Sequence, residues 1–272
     1  MLKKIYNWSS SWTGTIVIVL TIIFFVAQAF VIPSGSMKNT LLIGDMLFVK
    51  KFAYGIPQLK TPGVFGLPSI PLMPDIFNNG HLIEGPRPKR GDIVVFFAPQ
   101  KALNDGGLPE GTHFVKRAVA VGGDTIFLKD KVLYLHPKEG NEYVKTHFKD
   151  YMQEEIDGKL FVVNPYAKEH KGIHNDPNVT RNLIAPKELF DMQEIVIPED
   201  ETFMMGDNRD HSNDSRFWGS VPYKYIVGKP WFIYFSWDDD YKIRWDRVFR
   251  TVESLEKDID TTAEIKHEEG IY

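Results

Sequence analysis

Two short segments of the chain carry side chains that could together cleave an amide bond. The segment PSGSMKNTL begins at Pro33, and its proline and glycine favour a tight turn that exposes the hydroxyl of Ser36. The segment GTHFVKRAVAVGGD begins at Gly111 and places Lys116 on one strand face with apolar neighbours. Burial lowers the pKa of such a lysine and leaves a neutral amine that can accept a proton. Taken separately, the first segment is more typical of a linker and the second of an edge strand.

A third segment, GDNRDHSNDSRFWG, begins at Gly206 and is dense in charged side chains. A calcium loop has glycine at its sixth position and glutamate at its twelfth, and this segment has neither residue at those positions. The alternative is a buttress of aspartate–arginine pairs that fixes a turn and positions a hydroxyl such as that of Ser212. His113 and His211 lie in or beside these segments, so a Ser-His-Asp triad is a competing hypothesis.

Metal and cofactor chemistry find little support in the sequence. His170 and His174 have a spacing that suits a metal ion on a helix, but Pro165 and Gly172 disfavour a helix there, so a solvated loop is expected. Cysteine is absent, which excludes disulfides, a thiol nucleophile and cysteine-based metal sites. The net charge of -4 gives no reason to expect a nucleic-acid partner. No metal and no organic cofactor are predicted.

An uncharged apolar run, TIVIVLTIIFFVAQAFVI at residues 15–32, precedes the serine segment directly. A helix of that length at about 1.5 Å per residue spans roughly 27 Å, so we predict a single transmembrane helix over residues 13–32. Two lysines near the N-terminus predict that residues 1–12 are cytoplasmic. A cleavable signal peptide is the alternative, since the AQA that precedes Phe30 is similar to a cleavage site.

The rest of the chain alternates short β-branched or aromatic runs with turns, which predicts an all-β ectodomain and a mainly β fold. Strands are expected at residues 45–51, 92–97, 114–121, 125–128, 131–135, 194–197, 202–205 and 226–237. A hairpin turn is expected at residues 129–131. The clearest helix candidate after the apolar run is residues 251–257.

The ectodomain divides into a catalytic core, two insertions and a tail. The core is assigned to residues 33–57, 90–137 and 188–250. Residues 58–89, rich in proline and glycine, and residues 138–187, polar and irregular, are interpreted as insertions, and residues 251–272 as a C-terminal tail.

Together these segments resemble the successive sequence boxes of bacterial type I signal peptidases. Four boxes occur in that family's order behind an apolar run: PSGSM with LLIGD, RGDIVVF, VKRAV with GD, and GDNRDHSNDSR. The resemblance covers most of the framework of the ectodomain, and four boxes in order are far more specific than any one of them. It implies a membrane-bound serine endopeptidase with a Ser/Lys dyad that cleaves signal peptides from exported preproteins.

The resemblance also implies roles at matching positions. Ser36 would attack the scissile carbonyl, and Lys116 would be its general base. Ser212 would orient the lysine, and Ser34 would join the Ser36 amide in an oxyanion hole. Structural support near the site would come from Asp207, Arg209, Asp214 and Arg216. Apolar pockets for small substrate side chains would be lined by Phe30, Ile32, Met37, Leu41 and Val115.

The expected partners are preprotein signal peptides, membrane lipid and, in transient contact, the secretion machinery. The expected location is the bacterial cytoplasmic membrane, with the catalytic domain on the extracytoplasmic face. Two alternatives stay open. One is a Ser/Lys protease that cleaves itself, as repressor-like proteins do. The other is an inactive, membrane-tethered β-domain that binds partners through Trp231, Phe232, Tyr234 and Phe235.

Overall fold

The computed structural model describes residue 3 and residues 8–21, 27–58 and 79–259. In this part of the chain, strands outnumber helices and form sheets of seven, five and two strands, so the prediction of a mainly β fold is confirmed. The strands are β1 (Ala27–Val31), β2 (Asp45–Lys50), β3 (Gly55–Pro57), β4 (His81–Glu84), β5 (Ile93–Phe97), β6 (His113–Val121), β7 (Thr125–Lys129), β8 (Val132–His136), β9 (Gln153–Ile156), β10 (Lys159–Val163), β11 (Met192–Val196), β12 (Glu201–Met205), β13 (Val221–Pro222) and β14 (Ile226–Ser236). The α-helices are α1 (Trp12–Thr21), α2 (Gln100–Gly106), α3 (Asn141–His147), α4 (Ser215–Trp218) and α5 (Val252–Lys257).

The N-terminal apolar run does not continue as one helix into the serine segment. Helix α1 is described as far as Thr21, and strand β1 pairs antiparallel with β2, where Ala29 lies opposite Phe48. The predicted helix over residues 13–32 is therefore wrong for residues 27–32, while residues 22–26 lie outside the described part. An uncharged sequence suits a strand as well as a helix, and only pairing with β2 decides between them. No helix among the described residues is long and apolar enough to cross a bilayer.

The seven-stranded sheet carries both segments that were expected to hold the chemistry. Its order is β1-β2-β14-β5-β6-β12-β13, with antiparallel neighbours throughout. Strand β5 is central and apolar, and Val94, Val95 and Phe96 are fully buried because this part of the sheet is covered on both faces. The serine segment leaves β1 at one end of the sheet order, and Lys116 lies within β6.

A second sheet, in the order β11-β7-β8-β10-β9, packs next to the first. Strands β7 and β8 form the predicted hairpin, and Asp130 (φ 48°) and Lys131 (φ 68°) take the left-handed backbone that a tight two-residue turn requires. Strands β9 and β10 and helix α3 come from residues 138–187. This stretch, interpreted as an insertion, therefore completes the second sheet through the pairing of β10 with β8.

The remaining elements close the ends of the core. Strands β3 and β4 form a separate antiparallel pair, and residues 59–78 of the first predicted insertion lie outside the described part. Helix α5 agrees with the predicted helix at residues 251–257. Thr251 caps its N-terminus, because the Thr251 hydroxyl accepts a hydrogen bond from the Ser254 amide at 3.2 Å. Its Val252 and Leu255 are buried in the core behind β14. Residues 260–272 of the tail lie outside the described part.

Candidate active site

Ser36 lies in a single turn of 3-10 helix, Gly35–Met37, just beyond β1. Asn208 fixes this turn from the side, because its backbone amide donates to the Ser36 carbonyl at 3.1 Å and its side-chain amide donates to the Gly35 carbonyl at 3.1 Å. The serine is 9% exposed, so its hydroxyl is sheltered but reachable from the adjoining cleft. Sequence reasoning did not single out Asn208, although it lies within the GDNRD segment.

Lys116 reaches Ser36 from the neighbouring strand. Its Nζ lies 2.5 Å from the Ser36 Oγ, and the lysine is only 4% exposed. The pKa of Lys116 is lowered to about 8, mainly because burial removes the hydration of the charged ammonium. Asp214 and Asp207 act to raise this pKa, and the positive charge of Arg216 acts to lower it. The structure thus joins two residues 80 positions apart into a pair in which the amine can take the hydroxyl proton.

The two other predicted serines lie near this pair but differ in their contacts. Ser34 is exposed, and its Oγ lies 3.4 Å from the Ser36 Oγ. Ser212 is buried, and its hydroxyl makes no hydrogen bond with Lys116. Ser212 instead packs against Gly206, where an added Cβ would lie 2.3 Å from the Ser212 Oγ. Gly206 therefore leaves just enough room for the Ser212 side chain and the Ser36 carbonyl.

Asp214 and Arg216 form a buried ion pair directly behind Gly206. Asp214 accepts from the Gly206 amide at 3.0 Å and from Arg216 Nε at 2.8 Å and Nη2 at 2.9 Å. Burial alone would raise the pKa of Asp214, but the charge and hydrogen bonds of Arg216, with help from Ser212, hold it below its usual value. Arg216 Nη2 also donates to the Arg209 carbonyl at 2.5 Å, which ties the two ends of the loop together.

Asp207 pairs with Arg117. Arg117 lies in the VKRAV motif, but it was not predicted to belong to the site. Arg117 is fully buried and donates through Nε at 2.8 Å and Nη2 at 2.7 Å to the two Asp207 oxygens. Thr40 adds a hydrogen bond of 2.6 Å to the same carboxylate, and Glu256 of helix α5 contacts the guanidinium at 2.5 Å. Because neighbouring strand residues face opposite ways, Arg117 points to this cluster while Lys116 points to the serine.

Arg209 is buried within the same loop, and burial lowers its pKa to about 10, with Asp207 and Asp214 opposing that effect. Its Nε and Nη2 make no hydrogen bond with the described residues. The negative charges of Asp207 and Asp214 partly compensate for the burial of this guanidinium.

An apolar cleft of about 600 Å³ opens beside Ser36. Four of the five predicted pocket residues line it, namely Phe30, Ile32, Met37 and Val115. Leu41 is fully buried in the hydrophobic core and is not among the lining residues.

The two histidines of the alternative triad lie at the edges of the cleft. His113 packs between Phe30 and Phe97, with ring centroids at 4.9 and 4.4 Å. The His211 Nε2 lies 2.9 Å from an Asp176 oxygen. The Ser36 hydroxyl contacts the Lys116 amine and the Ser34 hydroxyl.

A serine hydroxyl against a buried lysine amine, beside an apolar cleft on a mainly β framework, is chemically suited to attack on a carbonyl carbon. The sequence matches the family described as signal peptidase, peptidase S26, over residues 5–237, so the chain belongs to that family and is a serine peptidase.

The relatives span nearly the whole chain. Signal peptidase I of Helicobacter pylori (strain ATCC 700392 / 26695) is 47% identical over 290 residues, which cover 94% of this chain and 96% of the relative. Signal peptidase I of Haemophilus influenzae is 33% identical over 282 residues, with 89% and 74% covered. A solved signal peptidase I from Enterococcus faecalis V583 overlaps 53% of this chain and 97% of its own at 22% identity, with a TM-score of 0.31, too low to support an inference.

Proposed function

We propose that this chain is a membrane-bound endopeptidase that removes signal peptides from exported preproteins, with Ser36 as nucleophile and Lys116 as general base. The observation that supports the dyad most directly is the 2.5 Å contact between the Lys116 Nζ and the Ser36 Oγ in a buried site. The substrate class is supported by the relatives, which are named Signal peptidase I.

The geometry suits a two-step acyl transfer. The neutral amine of Lys116 takes the proton of Ser36 as the Oγ attacks the scissile carbonyl, and it then gives that proton to the leaving amine. The Ser36 amide and the Ser34 hydroxyl are the proposed donors to the oxyanion, which would stabilise the tetrahedral intermediate. Water then attacks the acyl-enzyme as Lys116 accepts its proton; the bond between the acyl carbon and the Ser36 Oγ breaks, and Lys116 returns the proton to that oxygen. No step requires a metal or an organic cofactor.

The surroundings of the dyad support the choice of substrate and location. The cleft walls formed by Phe30, Ile32 and Met37 suit small apolar side chains of an extended peptide. On α1, Trp12 is 86% exposed and Ile16 is 51% exposed, which favours attachment of this N-terminal segment to lipid. Attachment would hold the site at the extracytoplasmic surface of a bacterial cytoplasmic membrane, where tethered preproteins and the secretion machinery meet it at high effective concentration.

Single substitutions test the dyad. Ser36→Ala and Lys116→Ala should each abolish cleavage of a preprotein with small residues one and three positions before the cut, while circular dichroism stays unchanged. Lys116→Arg should also be inactive, because arginine does not release its proton near neutral pH. Wild-type turnover in any of the three would contradict the proposal.

The alternatives predict different results in the same assay. His113→Ala and His211→Ala should retain most activity, and a thousand-fold loss in either would favour a histidine-based mechanism. A self-cleaving protease would fragment itself in a purified sample but leave an added preprotein intact. An inactive binding domain would show no Ser36-dependent cleavage in either form.

A further inference from the structure

Residues 166–176, which we call the strap, cross from the second sheet to the active site without forming a helix or strand. At one end, the Tyr166 hydroxyl donates to the Val119 carbonyl of β6 at 2.9 Å. In the middle, His170 Nδ1 lies 2.9 Å from a Glu256 oxygen of α5. A solvated loop was expected at His170 and His174. The stretch is a loop, but both histidines are only partly exposed, because tertiary contacts that no local pattern reveals hold it in place.

Gly172 of the strap contacts the segment that carries the nucleophile. A Cβ added at Gly172 would lie 2.1 Å from Thr40 Oγ1 and 3.2 Å from the Thr40 amide nitrogen, so only glycine fits without a shift. Thr40 in turn donates its amide to the Met37 carbonyl at 3.1 Å and its hydroxyl to Asp207 at 2.6 Å. The strap therefore determines where Thr40, and with it the turn that carries Ser36, can lie.

His174 makes the second contact, a parallel bridge with Asn208. The His174 amide donates to the Asp207 carbonyl at 2.9 Å, and the Arg209 amide donates to the His174 carbonyl at 3.0 Å. These bonds fix the backbone on both sides of Asn208, the residue that holds the Gly35 and Ser36 carbonyls. A continuous path of contacts thus runs from the strap through Asn208 to the serine turn.

We propose, on the basis of the function proposed above, that the strap is a positioning element for the nucleophile, acting through Gly172 on Thr40 and through His174 on Asn208. The serine and the lysine come from different elements, a 3-10 turn and strand β6, so their contact depends on how the turn is placed. A misplacement of about 1 Å can cost about a hundred-fold in rate. The strap touches neither reacting group, so it should govern turnover and not the affinity for substrate.

The test is Gly172→Ala in the full-length protein in detergent, assayed on a peptide with alanine one and three positions before the cut. We expect kcat to fall about 10- to 100-fold while KM stays within about two-fold. Gly158→Ala is the matched control, because Gly158 lies in the same insertion, has a φ of +79° and has open space where the Cβ would be. This control should lose thermal stability through backbone strain but keep its kcat.

A second substitution shows whether the effect passes through Thr40. Thr40→Ala removes the hydroxyl that the new methyl group would strike, so the double variant should have the kcat of Thr40→Ala alone. If Gly172→Ala does not fold, Asn208→Ala tests the same path and should lower kcat at least ten-fold with little change in KM.

The inference is overturned if Gly172→Ala keeps wild-type kcat, if Gly158→Ala loses as much, or if the losses of Gly172→Ala and Thr40→Ala simply add. A folded Asn208→Ala with full kcat would overturn it as well. Ser36→Ala separates this failure from failure of the proposed function: an inactive Ser36→Ala beside a fully active Gly172→Ala refutes only the role of the strap, whereas an active Ser36→Ala refutes the function itself.

Discussion

Replacing Lys116 with methionine is expected to abolish cleavage and, at the same time, to raise the free energy of unfolding at pH 7. The lysine is 4% exposed, and burial lowers its pKa from 10.5 to about 8. At neutral pH the lysine is protonated, and a pKa difference of that size lowers the free energy of unfolding by about 3 kcal/mol. Loss of the hydrogen bond to Ser36 removes about 1 kcal/mol, so the net gain should be about 2 kcal/mol.

The pH dependence of this gain follows from the two pKa values. Below pH 8, Lys116 is protonated in both the folded and the unfolded protein, and the cost of burying its charge is fully present. Between pH 8 and pH 10.5, the folded protein has released the proton while the unfolded chain still holds it, so wild-type stability rises with pH. The methionine variant has no such rise, and its advantage should disappear by about pH 10.5.

Urea unfolding of both proteins in the same detergent, at pH 7 and at pH 10.5, measures the effect. Lys149→Met is the matched control, because Lys149 is exposed and lies outside the site, and its stability should follow the wild type at both pH values. A Lys116→Met protein that is less stable than the wild type at pH 7 would refute the conclusion that the lysine is buried at a cost.

Three further results are expected from the same geometry. The kcat/KM for peptide cleavage should rise about ten-fold per pH unit below pH 8 and level off above it, because the pKa of Lys116 is about 8 and only the neutral amine is a base. Gly206→Ala should lower kcat more than about 100-fold in steady-state assays, since the new Cβ would lie 2.5 Å from the Ser36 carbonyl oxygen. Arg216→Lys should lower both cleavage and melting temperature, because a lysine cannot reproduce the two hydrogen bonds that Arg216 gives Asp214.

Each of these has an outcome that would count against it. A rate that keeps rising to pH 10 would mean that Lys116 titrates as an ordinary lysine. A Gly206→Ala protein with a tenth or more of wild-type kcat would show that the backbone there yields easily; Gly140→Ala, with open space at its Cβ, serves as its control. An Arg216→Lys protein with unchanged activity would show that the ion pair with Asp214 does not support the site.

The sequence predicted the mainly β fold because strands and turns leave local signals. The hairpin at Asp130 and Lys131 and the helix after Thr251 lie where local patterns placed them. The boundary at β1 was missed because an uncharged run has no alternation to show which face is buried. Its strand character comes from pairing with β2, a contact that local composition does not encode.

Only the site residues that lie in recognisable sequence motifs could be predicted. Sequence boxes in family order suggested Ser36 and Lys116, and the structure brings these two together. The pairing of Arg117 with Asp207 could have been anticipated from strand alternation, since the arginine follows the lysine and must face the other way. The support from Gly172 and Asn208 could not, because it depends on a stretch without periodicity that meets the site only in three dimensions.

The order of strands in the seven-stranded sheet has a consequence for when activity arises. Strand β2, just after the serine turn, pairs with β14, so that Val49 lies opposite Pro230, about 180 residues further along the chain. Contacts of such high sequence separation form late and slowly, because a long loop must close first. A nascent chain that has not yet emerged through Ser236 cannot complete the sheet, so we expect no shorter N-terminal product of translation to act as a protease. Topology alone thus delays proteolysis until β14 has been synthesised through Ser236.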